Sequence, residues 1–554
     1  MKLRHFFLLS VLLLSGQPSL FSQPLAFHRY VIEFKDKNGS PYSTDIPAAF
    51  LSQRAIDRRI RYHIPVTESD LPINPSYIGQ VSDIGVKVLN RSKWLNSISI
   101  ETEDSAMLAA VNDLPFVKTS FPVALRDGNP SSVQNIYEDV FPSKLASEEL
   151  AEYGKAGNQI EMLHGQQLHT LGYKGESIIL AVLDVGFSNA PNIQVFDSLF
   201  LQGRVLGKWN FVAGNDSVYN NWGHGSSVLS TIAANIPGTM IGTAPGISVY
   251  LFVTEDGFSE YPIEEHNWAA AAEWADSLGA DMITSSLGYS VFDNAAFNHD
   301  YADMDGNTTM IARAADYAAA KGMIVCSSAG NEGNKEWHYI TSPGDADSII
   351  TVGAVDSLGL ITGLSSKGPS SDGDVKPNVV AQGIRATVVE PFSGTIVTNT
   401  GTSLSNPVIA GLTACLWQAH PDKNNMEVIR AIEKSASLYY NPNDSMGYGI
   451  PNFEVADLLL SGTAPDNLAL TGPLIYPNPF QDYVQMLYYT ARKQEAGIEL
   501  FNYYGERVQS FQTSLQTGYN YLNITALSNM ANGLYFMKIN FEDHSEIVKL
   551  LKVP

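Results

Sequence analysis

The chain has 554 residues, 44% hydrophobic and 16% charged, a globular balance that excludes disordered, collagen-like and coiled-coil classes. At about 100–200 residues per domain, this length holds roughly three units. The net charge of -23 excludes nucleic acid as a partner, because binding phosphates takes a basic face.

Residues 1–22 read as a signal peptide: Lys2 and Arg4 precede an apolar run from Phe6 to Leu14, and Ser22 is a small residue suited to cleavage. No cysteine follows the run to carry a lipid anchor, and no later stretch approaches the ~18 apolar residues of a membrane span. The mature chain is expected to be soluble and exported. Cys326 and Cys415, the two cysteines, lie in IVCSSAG and LTACLWQ and read as reduced, buried core residues rather than a disulfide staple.

From Phe27 to Val123 strand signals bracket helical ones: RYVIEF, the basic helical stretch FLSQRAIDRRIRY, VKVLNRSKWLNSISIE and DSAMLAAVNDLPFVKTSFPV. They predict a small α+β unit over 23–125. Residues 126–156 are polar and rich in turn formers, a linker. Over 157–460 short apolar runs (SIILAVLD, ISVYLFV, ADMITSSLG, GMIVCSSAG, SIITVGAV) alternate with stretches of helical period (GHGSSVLSTIAANI, EEHNWAAAAEWADSLG, TTMIARAADYAAAKG). That alternation predicts an α/β domain, a mostly parallel sheet with helices on both faces. After a spacer at 461–473, residues 474–554 show strand after strand separated by turns, an all-β sandwich.

Reactive groups in such a sheet belong at the carboxyl ends of its strands. Asp184 ends the apolar run of AVLDVGF, where a carboxylate is costly without a partner. His224 stands between glycines in NWGHGSSV, which leaves its ring approachable. Ser403, in NTGTSLSNPVIAG, opens an apolar helix whose positive end favours a developing negative charge, and Pro407 suits the first turns of that helix. Asn331, in SSAGNEG, offers an amide donor just past a strand. Each has a plain structural reading as well: a turn acid, a structural histidine, a serine N-cap and a turn asparagine. Ser405, inside the first helical turn, reads as bonded to local backbone.

Taken in order, AVLDVGF, GHGSSV, SSAGNEG and GTSLSNPVIAG resemble the strings of the subtilase family of subtilisin-like serine peptidases, over about Gln159 to Leu460. The resemblance implies Ser403 as nucleophile, His224 as general base and then acid, Asp184 as the group that orients the imidazole, and Asn331 with the Ser403 amide as an oxyanion hole. It implies that Ser286, Leu287 and Gly288 form a strand that pairs with the substrate backbone, with Ser328, Ala329 and Gly330 opposite. Glu332 at the rim would favour a basic residue before the scissile bond. The chain departs from the family at Ser226 and Ser227, where a Thr-His pair is common, and at Leu404, Ser405 and Asn406, where Met-Ala-Ser or Met-Ala-Ala is common. These departures bear on substrate preference and rate. The unit at 23–125 is similar to subtilase propeptides, removed by cleavage between about Val123 and Tyr153, so the precursor is a zymogen. The unit at 474–554, opening on YPNPF, is similar to sorting domains read by the type IX secretion machinery.

The function expected is thus a secreted or surface serine endopeptidase, exported through the periplasm, acting on proteins or peptides through an acyl-enzyme. The chemistry requires no cofactor, and a structural calcium is compatible but not assignable to particular residues. The segment DMDGN (Asp303 to Asn307) lacks the Glu an EF-hand loop needs at its twelfth position, Ala314, and reads as a turn and cap. His164 and His169 read as surface residues. The alternative is an inactive subtilase fold used for binding or adhesion. An α/β-hydrolase esterase would need glycine where Ser405 stands.

Overall fold

The computed structural model describes residues 27–125, 152–439, 441–461, 472–490, 493–515, 518–525 and 527–554. The expected leader, nearly all of the 126–156 linker and most of the 461–473 spacer lie outside them.

The middle of the chain is built on a seven-stranded sheet in the order Val379–Gln382, Ile350–Val355, Ile324–Ser328, Met282–Ser285, Ile179–Asp184, Ser248–Val253 and Val205–Asn210. Its pairings are all parallel, as expected for an α/β domain. Both faces are covered, which is why the inner strands read as unbroken apolar runs. Successive residues still part to opposite faces. Leu180, Val182 and Leu251 pack with Val228, Ile232, Val408 and Leu412 of helices His224–Ala233 and Thr402–Ala419. Ala181, Leu183 and Phe252 pack with Trp268, Ala271 and Ile311 of helices Ile263–Leu278 and Met310–Ala320. Val205–Asn210 and Val379–Gln382, at the sheet edges, are the strands the apolar-run reading did not pick out. Each is short or interleaved with polar residues.

From Ile179–Asp184 the chain first builds outward to one edge, through 205–210 and 248–253, and then returns to build the other side from Met282. The carboxyl ends of 179–184 and 282–285 therefore flank the point where strand order reverses, the place where an open parallel sheet leaves a crevice.

The N-terminal unit is a four-stranded antiparallel sheet, Lys87–Ser92, Ser97–Glu101, Phe27–Phe34 and Val117–Leu125, with helices Gln53–Arg61, Pro75–Asp83 and Ser105–Asn112. It has its own core, including Ile32, Ile98, Ile100 and Val111, and a second, charged attachment to helix Ile263–Leu278. Glu273 accepts from Ser92 Oγ (2.5 Å) and from the Lys93 and Trp94 amides (2.6 and 3.0 Å). Asp276, fully buried, meets Arg58 (2.5 Å), Arg59 (2.8 Å) and Lys93 (3.4 Å). Burial works to raise the Asp276 carboxyl, but Lys93, Arg58 and Arg59 hold it well below the usual range. Arg58 and Arg59 come from the basic stretch FLSQRAIDRRIRY, and this contact leaves them only 3% and 1% exposed. Val31, Val123 and Ala124 add an apolar patch against Tyr261, Ile263 and Met310.

The C-terminal unit pairs a three-stranded sheet (Leu474–Tyr476, Val484–Thr490, Gly518–Ile524) with a four-stranded one (Arg507–Leu515, Gln494–Asn502, Gly533–Asn540, Ser545–Lys552), all antiparallel. Val484 and Met486 of the first meet Ile498, Leu500, Met537 and Ile539 of the second.

Removing one partner of a buried ion pair leaves the others charged and dry, at a cost of about 3–5 kcal/mol. In the full chain, with Ser403→Ala as a guard against self-cleavage, Asp276→Ala is expected to destabilise the docked state by that order in thermal unfolding. Asp57→Ala, on an exposed face of the same basic helix, should leave the transition in place.

Candidate active site

Asp184 is the last residue of its strand and fully buried. Oδ1 accepts from the Val185 amide (2.8 Å), and His224 Nδ1 lies 2.9 Å from Oδ1 and 3.0 Å from Oδ2. A carboxylate only accepts, so Nδ1 carries the hydrogen and Nε2 is left as the imidazole's lone-pair nitrogen. His224 is the first residue of its helix, and its side chain is 37% exposed. Gly225 lets the helix come this close: a Cβ there would lie 2.6 Å from the Gly186 carbonyl oxygen and 3.0 Å from Asp184 Cβ. Burial lowers the imidazole pKa, but the Asp184 charge and hydrogen bond, with a contribution from Glu255, raise it on balance above its ordinary value.

Ser403 is not the N-cap that its place in the sequence suggested. The helix begins at Thr402, and its cap position is Gly401, which has no side chain to offer. Asn331 supplies the missing acceptor: its Oδ1 takes hydrogen bonds from the Thr402 amide (2.9 Å) and the Thr402 hydroxyl (3.0 Å). Two donors on Oδ1 fix which way the amide points, so Nδ2 faces the other way. An ideal Cβ on Gly401 would fall 2.9 Å from Ser403 Oγ and 3.5 Å from Asn331 Nδ2, which places both groups around one small space. Among the described residues, Ser403 Oγ, His224 Nε2 and Asn331 Nδ2 have no hydrogen-bond partner. Ser405 Oγ donates to the Thr402 carbonyl (3.1 Å), the local backbone bond expected of it. Ser226 and Ser227 donate to the carbonyls of Ser188 and Val389.

Ser286, Leu287 and Gly288 continue from Met282–Ser285, while Ser328, Ala329 and Gly330 end and follow the neighbouring strand. Thr341, which nothing in the sequence picked out, joins the two. A Cβ on Gly288 would lie 2.1 Å from Thr341 Oγ1, and one on Gly330 2.8 Å from it. That hydroxyl is buried without a partner between these two segments. Its signal in the sequence is only the pair of glycines that make room for it. The Glu332 carboxylate meets Lys335 Nζ at 2.9 Å, so its charge is already compensated.

Among the described residues, two groups of three carboxylates have oxygens within 4.8 Å of one another and can hold a cation: Glu255, Glu260 and Glu264, and the exposed trio Asp347, Asp372 and Asp374. Burial pushes Glu255 up to about 7, hydrogen bonds from Tyr289 and Thr254 oppose it, and the Asp184 charge adds to it. In DMDGN, Asp305 spends its oxygens on its own loop, accepting from the Asn307 and Thr308 amides and the Thr308 hydroxyl, and Thr309 caps the following helix. This is the turn that was expected. His169 was expected at the surface but is buried, its ring between Tyr153 OH (3.0 Å) and the Thr243 carbonyl (3.0 Å). Two bonded ring nitrogens allow a histidine to be core. Cys326 and Cys415 are both free and buried, and among the described residues no helix is long and apolar enough to cross a membrane.

Removing the Asp184 charge should lower the His224 pKa. Histidine-selective NMR of the intact protein is expected to show His224 titrating above 6.5, with Asp184→Asn moving it to lower pH; an unmoved titration would mean that Asp184 does not set it.

Residues 175–449 match the model of the Subtilase family, 29–136 that of the Peptidase S8 propeptide domain of Bacteroidota, and 474–553 that of the secretion system C-terminal sorting domain. Subtilisin DY of Bacillus licheniformis is 28% identical over 295 residues, spanning 52% of this chain and 93% of its own. Subtilisin E of Bacillus subtilis is 27% identical over 381 residues, 68% of this chain and 84% of its own. Among solved structures, fervidolysin from Fervidobacterium pennivorans, a keratinolytic enzyme related to subtilisin, shares the fold with a TM-score of 0.52 at 18% identity, covering 92% of this chain and 70% of its own. Over residues 175–449 the chain carries a subtilase-family domain, that of a serine endopeptidase, set between a propeptide domain and a C-terminal sorting domain that marks it for export to the surface or the medium.

Proposed function

We propose that Ser403, His224 and Asp184 hydrolyse peptide bonds in proteins outside the cell by way of an acyl-enzyme. The observation that carries this reading is the orientation of Asn331: Oδ1 is bound to Thr402, so Nδ2 is presented beside Ser403 Oγ. A substrate carbonyl placed there meets the hydroxyl on one side and amide donors on the other.

His224 Nε2 takes the Ser403 proton as Oγ attacks, and Asp184 holds the tautomer and stabilises the imidazolium that forms. The negative charge that develops on the carbonyl oxygen is received by Asn331 Nδ2 and the Ser403 amide, at the positive end of helix Thr402–Ala419. His224 then gives its proton to the leaving amine, and a water deprotonated by the same imidazole hydrolyses the ester. The hydroxyl and the imidazole need not be bonded before substrate arrives, because such contacts commonly tighten only in the complex. These steps use the protein's own side chains and backbone with one water, and call for no metal.

The substrate would run as an extended strand between Ser286–Gly288 and Ser328–Gly330, using backbone hydrogen bonds that tolerate many sequences. With Lys335 beside it, Glu332 would select basic residues only weakly. The N-terminal unit would keep the zymogen closed until it is cut away, and residues 1–22 and 474–554 would direct the protein through the periplasm and the type IX machinery.

Ser403→Ala should abolish cleavage of a protein substrate by the processed enzyme, and retained cleavage would refute the assignment. Asn331→Ala should lower kcat about 100- to 1,000-fold with little change in KM, since the donor acts mainly on the transition state. Gly401→Ala should also lower kcat, because its methyl would intrude beside Ser403 Oγ; steady-state kinetics on one peptide substrate would check both.

A further inference from the structure

Pro407 lies inside helix Thr402–Ala419 and has no N–H, so the carbonyl four residues back, that of Ser403, loses its helical donor. Ser286 fills the vacancy: its Oγ donates to the Ser403 carbonyl oxygen at 2.9 Å. Asn406, fully buried one residue before the proline, reaches to the same stretch. Its Nδ2 donates to the Ser285 carbonyl (3.0 Å) and the Thr284 hydroxyl (3.1 Å), and lies 3.5 Å from Ser286 Oγ. The Ser285 carbonyl can only accept, which fixes the amide's orientation and leaves Asn406 Oδ1 buried with no partner. An unmade buried hydrogen bond is a cost that a small packing residue would avoid. What the asparagine adds is a tie between the helix that carries Ser403 and the strand end that becomes the wall 286–288.

We propose that Asn406 is a positioning residue: by bonding 284–286 to the nucleophile's helix, it sets the placement of the 286–288 wall relative to Ser403. This rests on Ser403 being the nucleophile. A peptide substrate held against the wall then has its scissile carbonyl delivered to Ser403 Oγ in register. A small reagent that meets Ser403 without touching the wall does not depend on the tie. Displacements of about 1 Å between a reacting group and its substrate cost on the order of a hundredfold in rate.

The test uses the processed protease and its Asn406→Ala variant, with active sites counted by a fluorophosphonate. For a tetrapeptide nitroanilide, kcat per titrated site should fall about ten- to a hundredfold, while KM and the second-order rate of a small fluorophosphonate stay within about threefold. Equal loss towards the peptide and the fluorophosphonate would overturn the proposal, since the damage would then lie in the nucleophile itself. An unchanged peptide kcat would overturn it as well. If Asn406→Ala does not fold, Thr284→Val, isosteric and outside the wall, removes one acceptor of the same tie and must give the same split; no split there refutes the idea. Failure of the underlying assignment looks different: the unsubstituted enzyme would take no fluorophosphonate on Ser403.

Discussion

A carboxylate with no exposure at the end of a parallel strand is the constraint around which this molecule is arranged. Asp184 needs donors in that position, because an unpaired buried charge is far more costly than a hydrogen bond is favourable. The Val185 amide supplies one donor and the His224 imidazole the other. To bring the imidazole there, the helix that starts at His224 must press against the strand end, which Gly225 permits. The bond in turn fixes the ring's tautomer and leaves Nε2 as the proton acceptor. The position of the helix start, the glycine at 225 and the imidazole's tautomer thus follow from one buried charge.

The helix that carries Ser403 solves a different problem, a start without a capping side chain and a proline in its early turns. Both gaps are filled from neighbouring strand ends. Asn331, after Ile324–Ser328, accepts from Thr402, and Ser286, after Met282–Ser285, donates to Ser403. The helix is therefore pinned by the two segments that form the proposed substrate walls. Rigidity of this kind is what preorganised donors need, since a donor that must first reorient contributes little to the transition state.

Much of this could be read from the chain itself. Parallel strands buried on both faces leave long apolar runs, and Asp184, His224, Asn331 and Ser403 stand in strings that resemble one family. What could not be read was set by contacts between distant segments. Ser403 looked like an N-cap because a serine before an apolar run usually is one, and the true cap acceptor lies 71 residues away. His169 looked exposed because a lone histidine carries no sign of the two partners, Tyr153 and Thr243, that allow it inside. Arg58 and Arg59 looked like an ordinary basic helix face, since their burial depends on Asp276 in a different unit. Thr341 left no trace beyond the glycines opposite it.

The proposed catalysis turns on Ser403 being activated by the His224–Asp184 pair beside Asn331 Nδ2. The most direct measurement is mass-spectrometric mapping of the processed protein after reaction with a fluorophosphonate. One adduct is expected, on Ser403, whose rate of formation falls as pH drops through the raised His224 pKa. Correctly processed protein that takes no label, or that carries it on another serine such as Ser405, would contradict it.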